Sequence, residues 1–122
     1  MMLDFVEQLP EQCPPSDASD AEWHSIYRLV ANESPDHTAF KSYAALGKVA
    51  PEGFDLCRWA SCSLLLNVAA KNKLPQLKGH HWVAKVTIPS GAGMSKRKKN
   101  HVDFWCRKDF DLESAVVEVT RL

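Results

Sequence analysis

Three side chains able to do chemistry alternate along one short segment, HVDFW. His101, Asp103 and Trp105 are two residues apart, and alternate residues of a strand share one face. A histidine there could donate a proton or contact a phosphate, and a tryptophan could stack on a base. The same spacing is typical of a surface strand whose outward residues are polar, so both interpretations stay open.

Two further polar positions lie in apolar surroundings. Arg28 stands in WHSIYRLV, and a half-buried guanidinium needs an anion, either a carboxylate of the fold or a phosphate of a ligand. Ser61 and Ser63 lie in ASCS, where a strand is expected to meet a helix. Either serine could bind a ribose or phosphate, or cap the helix.

A glycine-rich, strongly basic segment lies between two apolar runs, WVAKVTI and HVDFW. It predicts a long hairpin whose loop, residues 90–101, carries Lys96, Arg97, Lys98 and Lys99. Glycines allow amides to point outward and lysines add positive charge, so such a loop can hold an anion. A loop that is merely charged and solvated fits the same pattern.

The charge is unevenly distributed although the net charge is zero. The N-terminal part is acidic and the basic residues concentrate after residue 78, which favours an anionic partner or an acidic segment that folds back. We expect residues 1–20 to be an irregular acidic segment and residues 21–122 to be a single domain. No membrane span and no secretory signal are visible, so we expect a cytoplasmic protein.

The cysteines do not show the pattern of a metal site. Cys13, Cys57, Cys62 and Cys106 include no C-x-x-C pair, whereas structural zinc sites usually have close ligand pairs. Without a secretory signal, free and largely buried thiols are expected. No metal is expected.

The apolar and turn-forming patterns predict the elements that position these residues. Strands are expected at 23–30, 56–66, 82–88, 101–106 and 115–122. A helix or short strand should follow Ser34-Pro35 and end near Gly47, and another helix should run from Ser63 to Pro75. The fold class is therefore α+β, a mostly antiparallel sheet with one or two packed helices.

The order YRLV, FKS, ASCSLLL and WVAKVTI resembles the front half of ADP-ribosyltransferase-like folds. The resemblance implies an NAD cleft lined by Arg28 and by Ser61 or Ser63. It also implies a late-strand acid, for which Glu118 is the candidate, although Val116 stands where that family has Glu or Gln. The opening LPEQCPP is similar to that of a family of small bacterial proteins and implies no activity.

Three hypotheses follow. The first is an ADP-ribosyltransferase-like protein that binds NAD or a related nucleotide, such as a toxin or phage-defence effector, with His101 or Glu118 assisting. The second is a nucleic-acid-binding module that uses the basic loop, with Trp82 or Trp105 stacking on bases. The third is a protein-interaction factor such as an inhibitor, immunity or anti-defence protein.

Overall fold

The chain is described here by a computed structural model that covers residues 5–20, 22–68 and 80–122. Its described residues form one seven-stranded antiparallel sheet in the order β1-β5-β6-β3-β2-β4-β7. The strands are β1 (Ser19–Asp20), β2 (Trp23–Val30), β3 (Cys62–Leu65), β4 (Trp82–Ile88), β5 (Gly93–Lys98), β6 (His101–Cys106) and β7 (Val116–Arg121). The expectation of a mostly antiparallel sheet is confirmed.

Helix contributes little to the described part of the chain. It consists of one α-helical turn, α1 (Leu56–Trp59), and two 3-10 helices, His37–Phe40 and Glu113–Ala115. The side chain of Asp55 caps α1 by accepting hydrogen bonds from the amides of Cys57 and Arg58. The described chain is thus a sheet with short helical turns rather than an α+β fold with packed helices.

The segment 56–66 is not the single strand that the sequence predicted. It divides into α1 and β3, because Asp55 starts a helical turn and residues 62–65 pair with β6 instead. Ser63 therefore lies inside a strand, paired with Asp103, and does not begin a helix. The later part of the predicted helix, residues 69–75, lies outside the described residues.

The prediction of a basic loop at 90–101 is also wrong. Half of that segment is β5, which pairs with β6 up to Lys98 and His101, so the loop of this hairpin is only the two residues Lys99 and Asn100. Pairing with β6 in this hairpin overrides the weak strand propensity of Gly and Lys. A side chain at Gly93 would not fit, because its Cβ would lie 2.3 Å from the carbonyl oxygen of Trp105.

The described N-terminal residues pack on the sheet. Phe5 forms a β-bridge with Arg107, and the amide of Val6 donates to the carbonyl of Cys106 at 2.9 Å. Cys13 forms a disulfide with Cys57, with the two Cα atoms 5.5 Å apart. We call residues 5–13 the N-terminal strap.

The cysteine prediction holds for two of the four residues. Cys62 and Cys106 are free and buried, as expected, but the expectation of free thiols is wrong for Cys13 and Cys57. These two are separated by 44 positions in the sequence, and their disulfide joins the end of the strap to α1.

The main core lies on one face of the sheet. Ile26, Leu64, Val86, Val102 and Phe104 are almost completely buried there, and Phe40 and Leu112 cover them. A smaller apolar cluster of Leu29, Leu65 and Val83 lies elsewhere. Among the described residues, the longest helix is far too short to cross a membrane.

Candidate functional site

Arg28 on β2 is held by backbone oxygens and not by a carboxylate. Its Nε donates to the carbonyl of Ala39 at 3.0 Å, and its two terminal nitrogens donate to the carbonyls of Ser63 at 2.8 Å and Lys41 at 3.3 Å. No ion pair joins Arg28 to any residue in the described ranges. Because a guanidinium has five N–H donors, Arg28 retains donors for a further acceptor.

Ser63 and His101 are in direct contact. The exposed hydroxyl of Ser63 on β3 hydrogen-bonds with Nε2 of His101 on β6. Burial lowers the pKa of His101 below its usual value, the nearby Asp103 opposes this, and the positive charge of Arg58 adds to it. The imidazole is therefore neutral near pH 7, and one of its nitrogens can accept a proton.

Asp103 lies at the centre of a buried polar cluster. One carboxylate oxygen is 3.2 Å from Nε of Arg58, and the other is 3.2 Å from the Ser61 hydroxyl and 3.6 Å from Nε2 of His101. The Ser61 hydroxyl also donates to the carbonyl of Arg58 at 2.7 Å. Ser61 thus supports the cluster from a buried position instead of facing a ligand.

The Ser63, His101 and Asp103 arrangement differs from a catalytic triad. In a triad the serine and the carboxylate contact different nitrogens of the histidine, so that a proton can pass through the ring. Here both Ser63 and Asp103 face the same nitrogen, Nε2. The geometry supports binding by Ser63 and His101 more than nucleophilic attack.

A cleft of about 310 Å³, which we call the polar cleft, opens beside Arg28 and Ser63. Its other polar lining residues include Thr38, Tyr43 and Lys48, and no Asp or Glu of the described chain lines it. The Lys48 ammonium lies 5.2 Å above the centre of the Tyr43 ring. The volume suits a small ligand, and the charge of the lining suits an anion.

Two other predicted site residues are not brought to the polar cleft. Glu118 is exposed on β7, and three strands separate β7 from the β6 strand that carries His101. The Trp105 ring is only 2% exposed, and its Nε1 donates to the carbonyl of Cys57 at 3.0 Å. Trp105 therefore has no free ring face for a base in this structure.

The four basic residues of the predicted loop lie along an exposed sheet edge. Lys96 forms an ion pair with Asp17 at 2.9 Å, and this hydrogen bond lowers the pKa of Asp17. Nε of Arg97 donates to the carbonyl of Lys99 at 3.1 Å. In the described part of the chain, no carboxylate pairs with Arg97, Lys98 or Lys99.

Sequence reasoning missed Arg58, Tyr43 and Lys48. Arg58 reaches Asp103 from α1, and the capping residue Asp55 was a local signal for that helical turn. Tyr43 and Lys48 come from a turn-rich segment whose position over the sheet depends on contacts distant in sequence, such as that between the Trp59 indole and the Lys48 carbonyl.

Within residues 5–20, 22–68 and 80–122, no three His, Cys, Asp or Glu side chains are grouped so that they could hold a metal ion.

Comparison of the chain with protein-family models, curated proteins and solved structures finds no match. The function is therefore inferred from the geometry of the polar cleft.

Proposed function

We propose that the protein binds a small phosphate-bearing molecule of the nucleotide class in the polar cleft, with NAD among the candidates. The observation that carries this proposal is the connection of Arg28, Ser63 and His101 by direct hydrogen bonds beside a cleft whose charged lining is cationic. These three residues were singled out independently from the sequence, because each lies in a different segment of the chain.

Arg28 would bind phosphate oxygens. Its guanidinium is fixed by three carbonyls, so little side-chain freedom is lost when a ligand accepts its remaining N–H groups. Lys48, whose ammonium lies over the Tyr43 ring, would add a second positive charge.

The proposal is limited to binding. Transfer of an ADP-ribosyl group, which the family resemblance implies, needs a carboxylate near the developing positive charge of the sugar. Glu118, the candidate for that role, lies on β7 away from the cleft, and no carboxylate lines the cleft within the described residues. A nucleotide-binding protein without transferase activity fits these positions better.

The test is a titration calorimetry series with NAD, ADP and adenosine at one fixed ionic strength. We expect NAD and ADP to bind, adenosine to bind at least tenfold more weakly, and Lys48→Gln to weaken ADP binding severalfold. Lys85→Gln on β4 is the matched control because Lys85 does not line the cleft. No binding of ADP, or equal losses in both variants, would refute the proposal.

Nucleic-acid binding is a second candidate function, and one observation favours it. Arg97, Lys98 and Lys99 are exposed at one hairpin without a carboxylate partner in the described chain. For phosphate contacts of this kind, the logarithm of the binding constant falls linearly with the logarithm of the salt concentration. We expect Lys98→Gln combined with Lys99→Gln to reduce that salt slope for a single-stranded oligonucleotide; an unchanged slope would exclude this hairpin as the contact.

A further inference from the structure

A second and larger cavity of about 530 Å³ lies beneath the N-terminal strap, and we call it the apolar cavity. Phe104 and the thiols of Cys62 and Cys106 line it from the sheet, and Phe40 and Phe110 line it from the segments that cover the sheet. Its volume lies in the range of small-molecule sites, which are mostly apolar with a few polar groups.

The strap that covers this cavity is fixed by several contacts. The bridge between Phe5 and Arg107 holds its start, and the disulfide of Cys13 holds its end. Between them, the Glu7 carboxylate accepts a hydrogen bond from the amide of Ser42 at 3.0 Å and contacts the Ser42 hydroxyl. Residues 5–9 of the strap, held in this way, line one side of the cavity.

The charged groups that line the cavity are mostly acidic. Glu7, Asp111 and Glu113 line it, against the single formal cation Lys41 and the titratable His37. None of the three carboxylates forms an ion pair within the described residues. The exposed Asp111 carboxylate instead accepts hydrogen bonds from the Glu113 amide and the Ser114 hydroxyl.

The two thiols contribute apolar surface and not nucleophiles. Burial raises the pKa of the Cys62 thiol, and it raises that of Cys106 to about 12. The Cys106 sulfur also lies 3.3 Å from the carbonyl oxygen of Phe110, which accepts from the protonated thiol. A ligand in this cavity would therefore be held without a covalent bond.

We propose that the apolar cavity binds a small molecule with an apolar body and one ammonium head. The apolar body would contact the phenylalanine rings and thiols, and the ammonium would face the acidic lining residues Glu7, Asp111 and Glu113. The site is separate from the polar cleft, because the segment 37–41 lies between the two and contributes different residues to each.

The experiment compares n-decylamine, decanol and decanoate, each below its micelle concentration, by titration calorimetry on the full chain. We expect decylamine to bind at least tenfold more tightly than decanoate, with decanol between them. Glu7→Gln keeps the size of the side chain and an acceptor for the Ser42 amide, and we expect it to reduce the preference for decylamine over decanol severalfold.

Two further variants locate the site. Ala45→Phe adds a ring at an exposed lining position and should weaken all three probes, whereas Val49→Phe, at a 92% exposed position away from the cavity, should not. Circular dichroism confirms that both variants fold. Equal affinity for decanoate and decylamine, no binding of any probe, or no effect of Ala45→Phe would overturn the proposal.

Discussion

The polar cleft and the apolar cavity lie on either side of one short segment, residues 37–41. Ala39 lines the cleft and Phe40 lines the cavity, so neighbouring residues serve two sites of opposite character. The cleft has a cationic lining held by the sheet, and the cavity has an acidic rim under the N-terminal strap. Residues 37–41 thus divide a cleft with a cationic lining from a cavity whose charged lining is mostly acidic.

The two sites also differ in what holds them together. Arg28 and Ser63, at the cleft, belong to paired strands, whose positions are fixed by backbone hydrogen bonds along the sheet. The roof of the cavity depends on one β-bridge, the Glu7 contact and the disulfide. Changes to the strap should therefore affect the cavity alone, and changes to Arg28 should affect both.

Removal of the disulfide should have the largest effect on stability. The bond closes a loop across a sequence separation of 44, for which the chain-entropy model gives about 4 kcal/mol of stabilisation. We expect Cys13→Ser combined with Cys57→Ser to lower the free energy of unfolding in urea by about that amount. Decylamine binding should be lost, and ADP binding should be retained.

The matched control is the wild-type protein treated with a reductant, since Cys62 and Cys106 are already free. Its stability should fall to that of the double variant. Loss of ADP binding in the folded double variant would contradict the comparison, because it would mean that the strap also supports the polar cleft.

Replacement of Arg28 should lower stability less than removal of the disulfide does, but it should weaken ligand binding at both sites. Arg28→Lys keeps the charge but not the planar fork, so it should lose two of the three carbonyl contacts, each of which contributes about 1 kcal/mol. We expect the free energy of unfolding to fall by about 2 kcal/mol. ADP and decylamine should both bind more weakly, because the segment 37–41 is no longer held.

Arg97→Lys is the control for this substitution, since Arg97 is exposed and makes one backbone contact. It should leave stability and both affinities nearly unchanged. If Arg28→Lys weakens the binding of ADP but not that of decylamine, the position of residues 37–41 does not depend on Arg28, and the two sites are independent.

The sequence predicted those parts of the fold that local pattern determines. WHSIYRLV, WVAKVTI and HVDFWC are strands, as their aromatic and β-branched residues indicate. The lysine-rich β5 was missed because Lys96, Arg97 and Lys98 lie beyond its pairing with the two-residue β1, at an exposed edge where lysines are tolerated and discourage pairing with other chains. Its strand character comes from pairing with β6 across a two-residue turn, which the residue types of β5 alone do not indicate.

The two sites also differ in how far the sequence predicts them. Arg28 and Ser63 were recognisable because polar residues in apolar runs need partners, although the backbone carbonyls that satisfy Arg28 were not foreseeable. The apolar cavity had no sequence signal. Its apolar lining residues, such as Phe40, Phe104 and Phe110, come from distant parts of the chain, and each appears in the sequence as an ordinary apolar residue.

The smallest expected effect concerns His101, which adjoins the polar cleft through Ser63. Burial and Arg58 hold its folded-state pKa below 6.5, with Asp103 opposing them, whereas the unfolded chain titrates near 6.5. Above pH 6.5 the contribution of His101 to the free energy of unfolding is constant. As the pH falls below 6.5, the unfolded state binds the proton first, so the free energy of unfolding decreases until the pH reaches the folded-state pKa.

We therefore expect the free energy of unfolding to fall between pH 7.5 and 5.5 by more in the wild type than in His101→Asn. His24→Asn, at an exposed position on β2, should behave as the wild type. Asp17 and Asp20 have pKa values lowered from 3.8, so their protonation contributes only below this range. An equal fall in all three proteins would mean that the folded and unfolded states protonate His101 at the same pH, and that burial does not lower its pKa.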